Sequence, residues 1–167
     1  SRHVGGPRSD GATMTDWGRF DLNEAIGFLV ERDPDRPIAV VGHSAGGWLL
    51  AFAPNAQLVS AALTVGSQHA YWKNWTGTAR LARFAQWHAG IPAVVGITGV
   101  LPGRYFGGET LPGGVAREWA RWCRRPSFVD GDGALPPERR FAGRLLAVGV
   151  PGDPFAPPLA VAGIPDL

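Results

Sequence analysis

A chain of 167 residues, 45% hydrophobic and 18% charged, has the balance of a globular domain able to bury one core, and it carries no disordered tail. A net charge of +2 is too small to point to nucleic acid, the pI near 9.2 reflecting a few arginines. The lone cysteine, Cys123, excludes an internal disulfide and suits a reducing, cytoplasmic setting; no run reaches the roughly 18–20 apolar residues of a membrane span, and no segment reads as a signal peptide.

In chain order, Ser1–Thr13 is rich in glycine, arginine and serine and reads as loop. The chain starts with serine, and Met14 is its one methionine, which reads as a piece of a longer chain. Thr15 is placed to N-cap a helix over Asp16–Arg32, whose Trp17, Phe20, Ala25, Phe28 and Leu29 recur at helical spacing. Pro34 and Pro37 turn the chain into Ile38–Gly42, an apolar, β-branched run of the kind found in buried parallel strands.

Next come Gly42-His43-Ser44-Ala45-Gly46, a G-x-S-x-G pattern, then Gly47 and the helix-compatible run Trp48–Ala53. A serine on so sharp a strand-to-helix turn sits at strained dihedrals. Its neighbours two positions away, Gly42 and Gly46, are expected to crowd the turn, and Gly47 to let the following helix approach. The turn lifts the Ser44 hydroxyl off the sheet and aims the Ala45 N–H, at a helix start, toward a developing oxyanion.

Pro54-Asn55-Ala56 breaks the chain before a second strand, Leu58–Val65. From Gln68 to about Arg140 no strand is evident. Helices are predicted over Thr78–Ala89, with Leu81, Phe84, Ala85 and His88 on one face, and over Val115–Arg124, with the Gly- and Pro-rich Ile91–Gly108 between them. Residues 68–140 thus read as a helical cap inserted between core segments 1–67 and 141–167. Five of the seven tryptophans lie in it: Trp75 and Trp87, and the candidate substrate contacts Trp72, Trp119 and Trp122. These either line an apolar pocket or pack the helices together. Arg117, Arg121, Arg124 and Arg125 form either an anion site or a solvated helix face. Arg144–Val150 is the third strand, and since helical segments join the three, they are parallel. Asp153-Pro154 follows it. No His, Cys and carboxylate cluster has metal-ligand spacing, so neither metal nor cofactor is expected.

The segment Val41–Gly47 resembles the nucleophile elbow of the α/β-hydrolase superfamily. With Asp16–Leu29, Ala70-Tyr71-Trp72, Gly113–Cys123 and Leu145–Pro157, the chain is similar to bacterial predicted α/β hydrolases described as like serine aminopeptidases or lysophospholipases. The resemblance implies a partial α/β-hydrolase fold in which the ordinarily central nucleophile strand becomes a sheet edge. It further implies Ser44 as nucleophile, Asp153 as triad acid, the Ala45 N–H as oxyanion donor, and a small acyl-bearing substrate. Ser44 and Asp153 are expected at one carboxyl edge, near enough for an imidazole to bridge them; alternatively, Asp153 caps its own turn. The family's histidine follows the acid, whereas His3, His43, His69 and His88 all precede Asp153, and His43 is expected to point away from the Ser44 hydroxyl. Two classes follow: a serine hydrolase of esters, amides or thioesters whose base and second oxyanion donor lie outside these residues, or a non-catalytic remnant that at most binds acyl or aromatic ligands.

Overall fold

The structure, a computed structural model, describes residues 11–105, 108–127 and 135–164. These residues form two compact units, one of 15–69 and 135–164, the other of 11–14, 70–105 and 108–127. The expected loop at Ser1–Thr13 falls mostly outside the described residues.

Helical structure starts at Met14–Asp16 (α1), widens into a π-helical turn at Trp17–Leu22, and continues as α2, Asn23–Arg32. Thr15 therefore lies inside the helix and is not its N-cap. With threonines at both 13 and 15, the start shifts by a residue or two. The π turn lets Gly18 meet the neighbouring segment closely: a Cβ there would sit 2.5 Å from the Leu49 carbonyl oxygen and 2.7 Å from Phe52 Cβ. Among the described residues five strands follow in chain order: β1 Ile38–His43, β2 Val59–Val65, β3 Val100–Leu101, β4 Leu111–Pro112 and β5 Arg144–Val148.

In the first unit β1, β2 and β5 form a three-stranded parallel sheet in that order, so the strand before Ser44 is an edge. A run of 3-10 turns, Ser44–Gly47, Leu49–Phe52 and Ala56–Leu58, connects β1 to β2 where an α-helix was expected over Trp48–Ala53. Gly46 and Gly47 at its start and Pro54 just beyond it leave too short a stretch of good helix formers for α-helix.

The register assigns the faces of the sheet. Val40, Ala62 and Leu145 lie side by side, as do Gly42, Thr64 and Ala147. On this side the core gathers Ile26 of α2, Leu50, Ala53, Ala56, Val59, Ala62 and Leu135, with Val30 and Phe141 at its margin. The opposite side carries Val41, Leu63 and Leu146 in one row and His43, Val65 and Val148 in the next. There Val41 is 73% exposed and Leu146 62%. Parallel strands buried on both faces read as continuous apolar runs, and these strands have that composition. Among the described residues only one face is covered.

In the second unit, α3 (Gly77–Ala85), a π-helical stretch (Gln86–Gly90) and α4 (Ile91–Thr98) make one unbroken helical run. The Gly- and Pro-rich reading of Ile91–Gly108 missed α4, because Pro92 falls just after the π-helical stretch, where the regular i→i−4 ladder is already interrupted. Gly99, at φ 74°, ends it. The antiparallel β3–β4 pair leads into α5, Gly113–Trp122. Gly113 is obligatory there, since a Cβ would lie 2.5 Å from the Gly99 oxygen. The last helix among the described residues, α6 (Pro158–Ala162), belongs to the first unit.

The two sheet faces predict opposite mutational responses. Ile26→Ala removes a fully enclosed side chain and should lower stability by roughly 2–5 kcal/mol, whereas Val41→Thr should stay within about 0.5 kcal/mol. Urea unfolding midpoints of both variants check this.

Candidate active site

Three loops leave the carboxyl edge of the parallel sheet together, because paired residues His43, Val65 and Val148 end their strands at the same level. The Gly66 N–H donates to the Val148 oxygen at 2.9 Å and extends the ladder by one bond. The loop after β1 opens on Ser44, whose φ of 51° is the one positive value among the described non-glycine residues. A left-handed backbone costs an L-residue roughly 1–2 kcal/mol, so its neighbours must hold it.

They do so from three sides. A Cβ on Gly42 would come within 2.7 Å of the Gly47 nitrogen and 2.8 Å of the Gly46 carbonyl, so only glycine fits beneath the turn. A Cβ on Gly47 would reach 2.7 Å from Ser67 Cβ. The Ser67 hydroxyl donates to the Ser44 carbonyl oxygen at 2.8 Å, anchoring the strained residue to the loop after β2. One position further, the Trp48 indole N–H donates to the Gln68 oxygen at 2.9 Å. Gly46 behaves otherwise than expected: a Cβ there would meet nothing within 4 Å. The chain bends tightly enough at Ser44 that the crowding falls on Gly47 instead.

Ala45 is the second residue of the 3-10 turn that begins at Ser44, and its carbonyl accepts from the Trp48 N–H at 3.1 Å. With a 3-10 turn in place of an α-helix, the macrodipole behind its N–H is short, leaving the local N–H itself as the donor to be weighed.

Asp153 follows β5 on the same edge, and its two carboxylate oxygens have different surroundings. Oδ1 accepts from the Phe155 N–H at 2.8 Å, so the residue caps its own turn. Oδ2 faces the β2 end, 3.6 Å from the position a Gly66 Cβ would occupy. His43 Nε2 lies 3.9 Å from that same point. Gly66, at φ 58°, keeps the space between them free of a side chain. The topology thus brings Asp153 beside the residue that precedes Ser44. Proximity of His43 to the acid is something the sequence reading did not foresee. Asp153 also lines a largely apolar groove of about 660 Å³ between the loop after β5 and Ala156, Val161 and Ala162.

Of the other histidines, His69 is tied to α6: its N–H donates to the Ala160 oxygen at 2.8 Å, and a Cβ on Gly163 would meet its Cβ at 2.8 Å. His88 belongs to the second unit, where its ring stacks on Phe84 at 4.1 Å and its Nδ1 lies 2.9 Å from the Phe84 oxygen. His3 lies outside the described residues.

The tryptophans of the second unit divide. Trp75, Trp87 and Trp122 are buried, and Trp122 has no exposed surface at all, so it packs the unit and presents nothing to a ligand. Trp119 is half-buried and meets Trp87 edge to face at 4.9 Å. Trp72 is half-buried within a ring cluster, 5.8 Å from Tyr71 and 5.0 Å from Phe84. The arginines of α5 and its C-terminus are engaged locally: Arg121 pairs with the buried Glu118 at 3.6 Å, and Arg124 donates to the Ala120 oxygen at 3.0 Å. Cys123 is fully enclosed, and burial pushes its thiol well above the usual range, which makes it a poor nucleophile.

The clamp predicts a contrast between adjacent glycines. Gly47→Ala should cost about 1–3 kcal/mol through the collision with Ser67, whereas Gly46→Ala should be neutral or stabilising by up to about 1 kcal/mol. Denaturant midpoints of the two variants distinguish the positions.

Compared with known proteins, the alpha/beta hydrolase family model matches residues 2–165. Neither a curated protein nor a solved structure matches the chain.

Proposed function

The chain belongs to the alpha/beta hydrolase family, and we propose that it carries the nucleophile and acid of a serine hydrolase acting on a small acyl substrate through an ester, amide or thioester bond. The observation that carries this reading is the left-handed Ser44 at the sheet's carboxyl edge, held over Gly42 where no side chain fits. Strain of this kind persists where surrounding structure over-determines it, and it clusters at functional sites.

In this reading the Ser44 Oγ attacks the substrate carbonyl, its proton passing to an imidazole, and the Ala45 N–H stabilises the oxyanion of the tetrahedral intermediate. Asp153 Oδ2, the oxygen not spent on capping, orients that imidazole and stabilises its charged form. No histidine follows Asp153 in these 167 residues. Serine at its free pKa is a weak nucleophile, so without a base the chain is slow. The cap expected over residues 68–140 is narrowed to the second unit, with Trp72 and Trp119 as candidate substrate contacts, and the reaction needs no metal or cofactor. The other reading, a non-catalytic binding remnant, draws on the same apolar groove beside Asp153.

Chemical rescue separates the two. The chain alone should hydrolyse p-nitrophenyl acetate negligibly. Added imidazole should raise the Ser44-dependent rate about tenfold, a fraction of the roughly 10²–10⁴ that a positioned base contributes. Asp153→Asn should reduce the gain. A rescued rate identical in Ser44→Ala would rule out the nucleophile and leave the binding reading.

A further inference from the structure

The second unit exposes one long apolar helix surface. Along the run from Gly77 to Thr98, Leu81, Ala85, Ala89, Ala93 and Ile97 recur every fourth residue, and all five are exposed. The large residues stand out most, Leu81 at 69% and Ile97 at 87%, with Phe84 at 43% beside them. Alanines between these ends make the surface shallow. Apolar side chains left this open over a whole helix length mark an interaction surface.

The charges along the run itself are of one sign, the acids of this unit, Glu109 and Glu118, lying beyond it in the approach to β4 and on α5. From Arg36 to Gly108 the sequence contains no aspartate or glutamate. Within that acid-free stretch the helical run and its approach carry Lys73, Arg80 and Arg83. Arg80 donates to the Trp75 and Lys73 carbonyls at 2.9 and 3.1 Å, which fixes its guanidinium at the start of the run. The Lys73 ammonium lies 5.3 Å from the centre of the Trp72 ring, and Tyr71 adjoins that ring. Aromatic rings that are part apolar and part polar, next to lysine and arginine, suit the headgroup level of a bilayer.

We propose that this surface docks on an anionic lipid membrane, the helix lying in the plane of the interface with Leu81, Phe84 and Ile97 inserted and Lys73 and Arg80 at lipid phosphates. A second copy of the chain is a poorer occupant, because it would bring two helical runs that carry cations and no acid face to face. A protein partner is poorer too, since the alanine-lined centre lacks the pocket or aromatic anchor on which protein interfaces concentrate their energy. The docking concerns the helix alone and does not depend on any role of Ser44.

Co-sedimentation of the full chain with vesicles tests it. Vesicles of equal parts phosphatidylglycerol and phosphatidylcholine should bind the chain roughly tenfold or more tightly than pure phosphatidylcholine, and high salt should weaken that binding. Leu81→Glu with Ile97→Glu, both at exposed positions, should weaken it at least about tenfold. Val41→Thr with Leu146→Thr, on the open sheet face, should leave it unchanged. The proposal is overturned if the mixed vesicles bind no protein, if the glutamate pair binds as well as the parent chain, or if the sheet variant is the one that fails. It is equally overturned if the parent chain forms a dimer that the glutamate pair splits, with no vesicle binding.

Discussion

The left-handed backbone of Ser44 is the constraint on which the rest of the first unit depends. A parallel edge strand delivers the chain to this residue, and a reversal within one residue is needed to raise the side chain above the sheet. The reversal is possible because Gly42 leaves room beneath it and Gly47 lets the loop after β2 close in. Ser67 then bonds the Ser44 carbonyl, so the strained residue is held by a neighbouring strand rather than by its own turn alone. Local strain is thereby supported by long-range structure, which is how such conformations survive.

The parallel topology does the remaining positioning. Because β1, β2 and β5 share one direction, their exits share one edge, and Asp153 reaches the end of β1 although it lies 109 positions beyond Ser44 in the sequence. The glycine after β2 matters here as much as the acid. At φ 58° Gly66 turns the chain away and leaves Asp153 Oδ2 and His43 Nε2 facing one open point. The two carboxylate oxygens differ, Oδ1 fixing its own loop and Oδ2 facing that point.

Much of this was legible in the residues, for identifiable reasons. Short β-branched runs bounded by glycine and proline announce strands, and the three sheet strands lie within one or two residues of where the pattern put them. The turn at Ser44 was legible because few residues can follow a strand in that way. What escaped depended on three-dimensional crowding. Whether Gly46 or Gly47 is obligatory is decided by where Ser67 sits, a contact across 20 positions of sequence. The 3-10 character after Ser44 reflects a balance of small propensities, and the helix through Pro92 reflects a proline placed where it does no harm. Among the tryptophans, periodicity could not separate Trp122, enclosed, from Trp119 and Trp72, half-open, since all three occupy plausible helical or loop positions. The proximity of His43 to Asp153 escaped because the turn says which way the His43 side chain leaves Ser44 but not what arrives there from another loop.

The account rests on strain stored at Ser44, and a comparison of Ser44→Gly with Ser44→Ala measures it most directly. Both variants remove the hydroxyl, so they differ only in the backbone's freedom at positive φ. If Ser44 is held left-handed as described, the glycine variant should be more stable than the alanine variant by roughly 1 kcal/mol in denaturant unfolding. An alanine variant more stable than the glycine variant, by the roughly 0.5–1 kcal/mol usual for relaxed backbone, would contradict it.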